Sequence, residues 1–245
     1  MGNLLSLQGK TLLITGASSG IGKGVAIACA KQGATCVIIG RNGLRLNDTF
    51  TTLEGEGHQM LLADLTKFDA IPEVVSQLPK LDGVVHCAGI GQRKMVKFLD
   101  EADVDEVMNI NFKAPVMLQT EILKQKKINK GASLVFIASI AAESPSMGNA
   151  IYSASKGAII SYSLCLKEEL APRMIRVNCI SPAMVWTDLV LSDGISKEQL
   201  EQDEQKYPLK RYGQPEDIAN LAVFLLSDAS SWMTGSNVKI TGGVN

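Results

Sequence analysis

The sequence predicts a single doubly wound α/β domain, with a parallel sheet of about seven strands and helices on both faces. Three observations carry this expectation. Short apolar runs alternate with helical patterns from end to end, those runs are continuous, and no Pro/Gly/Ser-rich linker divides the 245 residues. Strands separated by helices pair in parallel through right-handed crossovers, and a strand covered on both faces has no polar side to show. A chain of this length suits one such domain and buries a large core.

The first strand is expected over 10–15, where Thr11-Leu12-Leu13-Ile14-Thr15 runs directly into a glycine-rich turn and a helix over 20–32. A second strand over 35–40 and a helix over 43–54 follow, then a strand over 59–63 and a helix over 67–78. The fourth strand is placed at 83–87, followed by one long helix over 102–128. The fifth strand, 133–138, leads into a helix over 151–170, and the sixth, 176–180, into an irregular stretch. A helix over 214–227 and a strand over 237–240 close the chain. The irregular stretch, 185–208, mixes Trp186, Leu189, Val190 and Leu191 with charge and follows a strand's carboxyl end. Ligands of open α/β sheets bind at that edge, so it is read as a substrate lid, the alternative being an ordinary surface helix pair.

Composition excludes several classes of function. The 24 Lys+Arg and 25 Asp+Glu give a net charge of −1, without the basic excess of an electrostatic nucleic-acid binder. Uncharged runs fall short of the roughly 20 apolar residues of a spanning helix. Five cysteines without a CxxC, and two distant histidines (His58 and His86), make a metal site unexpected and suit buried, reduced thiols in a cytoplasmic protein. Gly2 and Ser6 fit a myristoylation pattern, but a single acyl chain holds a membrane only marginally, and a soluble protein without a secretory signal is expected.

The turn Gly16-Ala17-Ser18-Ser19-Gly20-Ile21-Gly22 has the layout of a Rossmann-type dinucleotide site. Glycines allow a tight turn and close approach of backbone to a pyrophosphate, and a helix N-terminus offers unpaired N–H groups to negative charge. Cofactor choice is read at the end of the second strand. There Gly40-Arg41-Asn42 lacks the carboxylate that accepts the adenosine ribose hydroxyls, and Arg41 can grip a 2′-phosphate in fork geometry. NADP(H) is therefore expected over NAD(H), with Ser18 adding a hydroxyl contact; the alternative leaves Arg41 as a solvated surface residue. Asp64-Leu65 closes the third strand, where a carboxylate either accepts from the adenine amino group or caps a helix.

Tyr152-Ser153-Ala154-Ser155-Lys156 opens a helix, and residues i and i+4 share one of its faces. A phenol has a pKa near 10, and bringing it close to 7 takes roughly 4 kcal/mol of phenolate stabilisation, which a neighbouring cation can supply. Alone, YxxxK is commonplace. Combined with the glycine turn, with Ser139 after the fifth strand and with Asn111, it resembles the classical short-chain dehydrogenase/reductase family over about residues 7–243. The stretch 208–217 is similar to 3-oxoacyl-carrier-protein reductases.

That resemblance implies a set of roles. Tyr152 would exchange a proton with the substrate oxygen, Lys156 would acidify it and hold the nicotinamide ribose, and Ser139 would hydrogen-bond the carbonyl oxygen. Asn111 would hold a water that relays protons to Lys156. Ala88 and Gly89 would approach the adenosine ribose, and Pro182, Val185 and Thr187 the nicotinamide carboxamide. Trp186 is assigned to the substrate pocket or to packing. The implied activity is NADPH-dependent reduction of a ketone or 3-oxoacyl group, with alcohol, polyol or sugar oxidation on the same residues as the alternative. A cofactor-binding sensor is the non-enzymatic alternative. The implied partners are a small-molecule carbonyl or alcohol, either free or bound to an acyl carrier that docks near Arg93, Lys94 and Lys97, and further copies of the chain in a homotetramer or homodimer. Three positions depart from the family pattern: His86-Cys87 stands where two asparagines are common, Ala183 replaces a frequent glycine, and Thr241 a common aspartate.

Overall fold

The computed structural model describes residues 3–191 and 196–244, so Gly2 and the middle of the 185–208 stretch lie outside the described residues. The chain runs β1 (Thr11–Thr15), α1 (Gly20–Lys31), β2 (Thr35–Gly40), α2 (Gly43–Phe50), β3 (Gln59–Leu62), α3 (Ile71–Ser76), β4 (Leu81–His86) and α4 (Glu101–Met108). It continues through α5 (Ala114–Lys124), β5 (Ile128–Ile137), α6 (Ala150–Leu170), β6 (Arg176–Pro182), α7 (Asp188–Leu191), α8 (Lys197–Glu204), α9 (Pro215–Leu226) and β7 (Asn237–Ile240). All strands pair in parallel, in the order β3-β2-β1-β4-β5-β6-β7. The order reverses between β1 and β4, which opens a crevice at their carboxyl ends.

Unbroken apolar strands feed two cores. Leu12, Ile14, Ile38 and Val85 face one side with α1 and α9, while Leu13, Val37, Ile39 and Val84 face the other with α3, α5 and α6. The edge strand β3 departs from the expected two-sided cover, with Met60 37% and Leu62 65% exposed.

Other boundaries also differ from expectation. The strand expected at 133–138 begins at Ile128, and β4 begins at Leu81, with a register shift between Leu81 and Gly83. The carboxylate of Asp82 accepts from Thr11 N and from Asn129 Nδ2, tying β1 to β5. The helix expected over 102–128 stops at Lys124, and Lys126 turns the chain out at φ 56°. It is also interrupted by one π turn, Asn109–Lys113. Pro115 has no N–H to close the α-helical bond to the Asn111 carbonyl, so regular winding fails there.

His86 is 4% exposed, stacked on Phe136 at 4.5 Å and bonded through Nε2 to Gln119 at 3.1 Å. Burial pushes its imidazole from 6.5 down to about 4. The unfolded chain therefore binds a proton below pH ~6.5 that the folded chain refuses until about pH 4. The native state loses roughly 3 kcal/mol across that window as pH falls. His86→Asn removes this loss. Urea unfolding is expected to show the variant's stability falling about 3 kcal/mol less than the wild type's between pH 7 and 4; parallel curves exclude His86 as the source.

Candidate active site

A cleft of about 1150 Å³ opens along the carboxyl edge of the sheet. A single small ligand takes roughly 300–1,000 Å³, so the volume suits two bound molecules. Gly16, Ser18, Ser19, Gly20, Ile21, Gly22, Arg41, Asn42, Asp64, Leu65, Ala88, Gly89, Ser139, Tyr152, Lys156, Pro182, Val185 and Thr187 all line it. Asn111 does not; it is 2% exposed behind the wall.

The glycine turn is built for close approach. A Cβ on Gly16 (φ 67°) would lie 2.8 Å from Ala88 Cα, and one on Gly22 would lie 2.3 Å from Gly16 O. Ser19 gives α1 no side-chain cap and no acidic residue stands in its first turn, so the leading N–H groups are left to an anion. Thr15 Oγ1 accepts from Cys87 N at 3.0 Å and from Ala88 N at 3.2 Å. The hydroxyl thus ties β1 to the end of β4, a tie for which the sequence offered no candidate once Cys87 stood at an amide's place.

At the adenosine end Arg41 is exposed, and its guanidinium helps to hold the Asp64 carboxyl below the usual carboxylate range. The larger cause is Thr66, whose hydroxyl (2.7 Å) and N–H (3.0 Å) both donate to Asp64 Oδ1. Asn42 lines the cleft, but its Oδ1 is committed to Arg45 N as the cap of α2, at 3.0 Å. Arg45, which sequence reasoning passed over, lines the same end. Its position one turn beyond Arg41, on the first turn of a helix, was the available signal.

At the other end α6 places Tyr152 and Lys156 on one face, with the Lys156 Nζ 5.7 Å from the phenol ring centroid. The ammonium is 6% exposed and donates to Ile137 O at 2.9 Å. Burial lowers its pKa to about 8, which leaves it charged at neutral pH. Ser139 Oγ accepts from Ala141 N at 3.1 Å, which orients a hydroxyl whose proton can be donated into the cleft.

The side chain of Asn111 is engaged with neighbouring protein groups. Its Oδ1 accepts from Ile90 N at 2.8 Å, and its Nδ2 donates to Ile90 O at 3.0 Å and Ser155 Oγ at 3.1 Å. The side chain therefore locks the loop after β4 onto α6. A Cβ on Gly89 would meet Asn111 Oδ1 at 3.1 Å and Lys156 Nζ at 3.5 Å, so the bare glycine lets these groups converge.

The 185–208 stretch supplies Leu189, Val190, Leu200 and Lys206 to the cleft. Trp186 is absent from the wall. Its ring packs 5.2 Å from that of Tyr212, and its Nε1 donates to Glu204 at 3.0 Å, which makes it a packing residue. Cys165 is exposed, unlike the buried Cys29, Cys36 and Cys179. Among the described residues no cluster of three or more His, Cys, Asp or Glu could hold a metal, and no helix is long and apolar enough to cross a membrane.

Comparison with known proteins places this architecture. A family described as enoyl-(acyl carrier protein) reductase matches residues 16–245. The chain is 35% identical over 241 residues to a 3-oxoacyl-[acyl-carrier-protein] reductase from Rickettsia felis, covering 98% of this chain and 99% of that one. A Brucella melitensis short-chain dehydrogenase/reductase of glucose/ribitol dehydrogenase type superposes with a TM-score of 0.91 at 31% identity, covering 97% of each chain. A Beutenbergia cavernae structure, assigned as an NAD(P)-dependent gluconate 5-dehydrogenase with NADP bound at low occupancy, gives 0.86 at 28% identity over 98% of each. On fold, site and likeness together, the chain belongs to the short-chain dehydrogenase/reductase family of oxidoreductases.

Proposed function

We propose that the protein is an NADP(H)-dependent carbonyl reductase acting on a ketone or 3-oxoacyl group. The observation that carries the reading is the convergence of Tyr152, Lys156 and Ser139 on one end of a cleft whose other end carries Ser18 and Arg41. The uncapped start of α1 and the Gly16/Gly22 cradle fit a pyrophosphate, with Pro182, Val185 and Thr187 left for the nicotinamide. Bound there, the reduced nicotinamide supplies a hydride to a carbonyl carbon.

The chain's own groups manage the oxygen. Ser139 donates a hydrogen bond as negative charge gathers on it, and Tyr152 delivers the proton. Lys156, charged and screened from water, favours the phenolate left behind. The carbonyl of Asn111 beside Pro115 is the natural seat of the water that returns a proton to Lys156.

Substrate class is argued from the relatives and the wall. The likeness to a 3-oxoacyl-[acyl-carrier-protein] reductase favours a 3-oxoacyl thioester. The polar lining of Ser144, Ser146, Asn149, Gln199 and Gln202 favours a second reading, a polyol or sugar acid, as the names of the two structural neighbours do. The basic loop is a weaker carrier dock than its sequence suggests, because Lys94 is paired with Asp100 at 3.5 Å and, more closely, with Asp103. Steady-state assays against short 3-oxoacyl thioesters and against gluconate-type polyols separate the readings. Thioester reduction with NADPH is expected, and turnover of polyols alone overturns it.

Cofactor choice has its own test. Arg41→Ala is expected to raise the KM for NADPH by about tenfold, the value of one lost charge-assisted bond, and to leave that for NADH nearly unchanged. An equal effect on both cofactors removes Arg41 from phosphate recognition.

A further inference from the structure

The guanidinium of Arg45 does not lie free beside Arg41. Its Nη1 donates to Asp188 Oδ2 at 3.2 Å, and the two side chains are 59% and 66% exposed. This pair joins the first turn of α2, at the adenosine end, to the first residue of α7, whose Leu189 and Val190 line the cleft. Between them lies a small hollow, also lined by Ser18, Ser19 and Gly20, to which Lys23 and Asp48 add one charge of each sign. The neighbouring Thr187 is already seated on the glycine turn, where a Cβ on Gly20 would lie 3.1 Å from its Cγ2. The ion pair therefore spans the mouth of the dinucleotide site, with the α7 segment resting on the turn beneath.

We propose that Asp188 is a built-in competitor for the 2′-phosphate of NADP(H). Binding of that phosphate draws Arg45 away from Asp188 and onto the phosphate oxygens, beside Ser18 and Arg41, and so frees the head of α7 from the adenosine end. The inference rests on the NADP(H) reading above and goes beyond it by coupling cofactor identity to the α7 segment that lines the cleft.

The charges set the direction of the exchange. A phosphate monoester carries close to two negative charges at pH 7 and offers three acceptor oxygens, against one charge and two oxygens on a carboxylate. An exposed ion pair of this kind shifts an equilibrium by no more than about fivefold, so a doubly charged ligand held also by Arg41 displaces it. NAD(H) has a single hydroxyl at that position and leaves the Arg45–Asp188 pair in place.

Fluorescence titration of NADPH and NADH into the wild type, Asp188→Asn, Arg45→Ala and the double variant tests the exchange. Asp188→Asn is expected to tighten NADPH by about threefold, because its competitor is gone, and to leave NADH unchanged. Arg45→Ala is expected to weaken NADPH alone by about fivefold, and in that background Asp188→Asn is expected to have no further effect. If Asp188→Asn leaves NADPH affinity unchanged or shifts both cofactors alike, the pair is a structural strut and the proposal falls. If the wild type itself binds NADH as tightly as NADPH, the NADP(H) reading has failed; that result is read before any variant is made. A wild type that prefers NADPH through Arg41, with an Asp188→Asn variant indistinguishable from it, leaves the reading standing and overturns only the exchange.

Discussion

Tyr152→Phe is expected to lower kcat by about 10³, within the range that a positioned general acid contributes, while the protein folds and binds NADPH normally. The phenol lines the same cleft as Ser139 and shares a helix face with Lys156, so on the proposed mechanism its loss removes the proton donor. Hydride arriving at a carbonyl carbon leaves an alkoxide that a hydrogen bond from Ser139 can stabilise but that Ser139, a far weaker acid than a lysine-paired phenol, cannot readily neutralise. Dissociation constants for NADPH should move by less than about tenfold, the worth of one hydrogen bond to the ribose. Stopped-flow measurement of NADPH oxidation separates the outcomes. A slow single-turnover step with intact cofactor binding supports the role, and near-normal turnover removes Tyr152 from it.

Residues whose chemistry is local were legible in the sequence. A strand running into Gly16–Gly22 and a helix leaves little choice of architecture, because backbone spacing and helix N–H groups impose those glycines. Tyr152 and Lys156 were equally plain, since four residues of helix fix their common face. What stayed hidden depends on partners distant in sequence. Asn111 could be picked out, but its capture by Ile90 and Ser155 across 21 and 44 residues could not. Thr15 looked like the last residue of a strand, and its tie to Cys87 and Ala88 needed the β1/β4 pairing. The π turn at Asn109–Lys113 had a visible cause in Pro115, in the interior of the helix expected over 102–128, yet periodicity alone read one long helix. Trp186 was divided between pocket and packing until Tyr212 and Glu204 folded against it.

Gly89, whose added Cβ would meet Asn111, also lies close to a lysine that the fold holds at a cost. Lys156 is almost fully buried, its Nζ has one main-chain acceptor in Ile137 O, and the half-buried Cys87 nearby is a thiol that burial pushes up to about 12 and so keeps neutral. Burial brings Lys156 down from 10.5 to about 8. The folded chain thus resists a proton that the unfolded chain binds. Stability rises as pH climbs from about 8 to 10.5, and below 8 the charged lysine costs roughly 3 kcal/mol.

Lys156→Met should therefore move activity and stability in opposite directions. Turnover is expected to fall by at least about 10², because on the proposed mechanism the phenolate loses the neighbouring cation. Stability at pH 7 should rise by about 2 kcal/mol after about 1 kcal/mol is deducted for the Ile137 carbonyl left without a donor. For a chain of this size that is roughly 4–8 °C in Tm. Thermal unfolding between pH 7 and 10.5 checks the cause: the wild type should gain on the variant as pH rises and the variant should stay flat. A variant that loses both turnover and stability would mean that the ammonium holds the fold together, and that its low pKa is offset by contacts stronger than the one to Ile137.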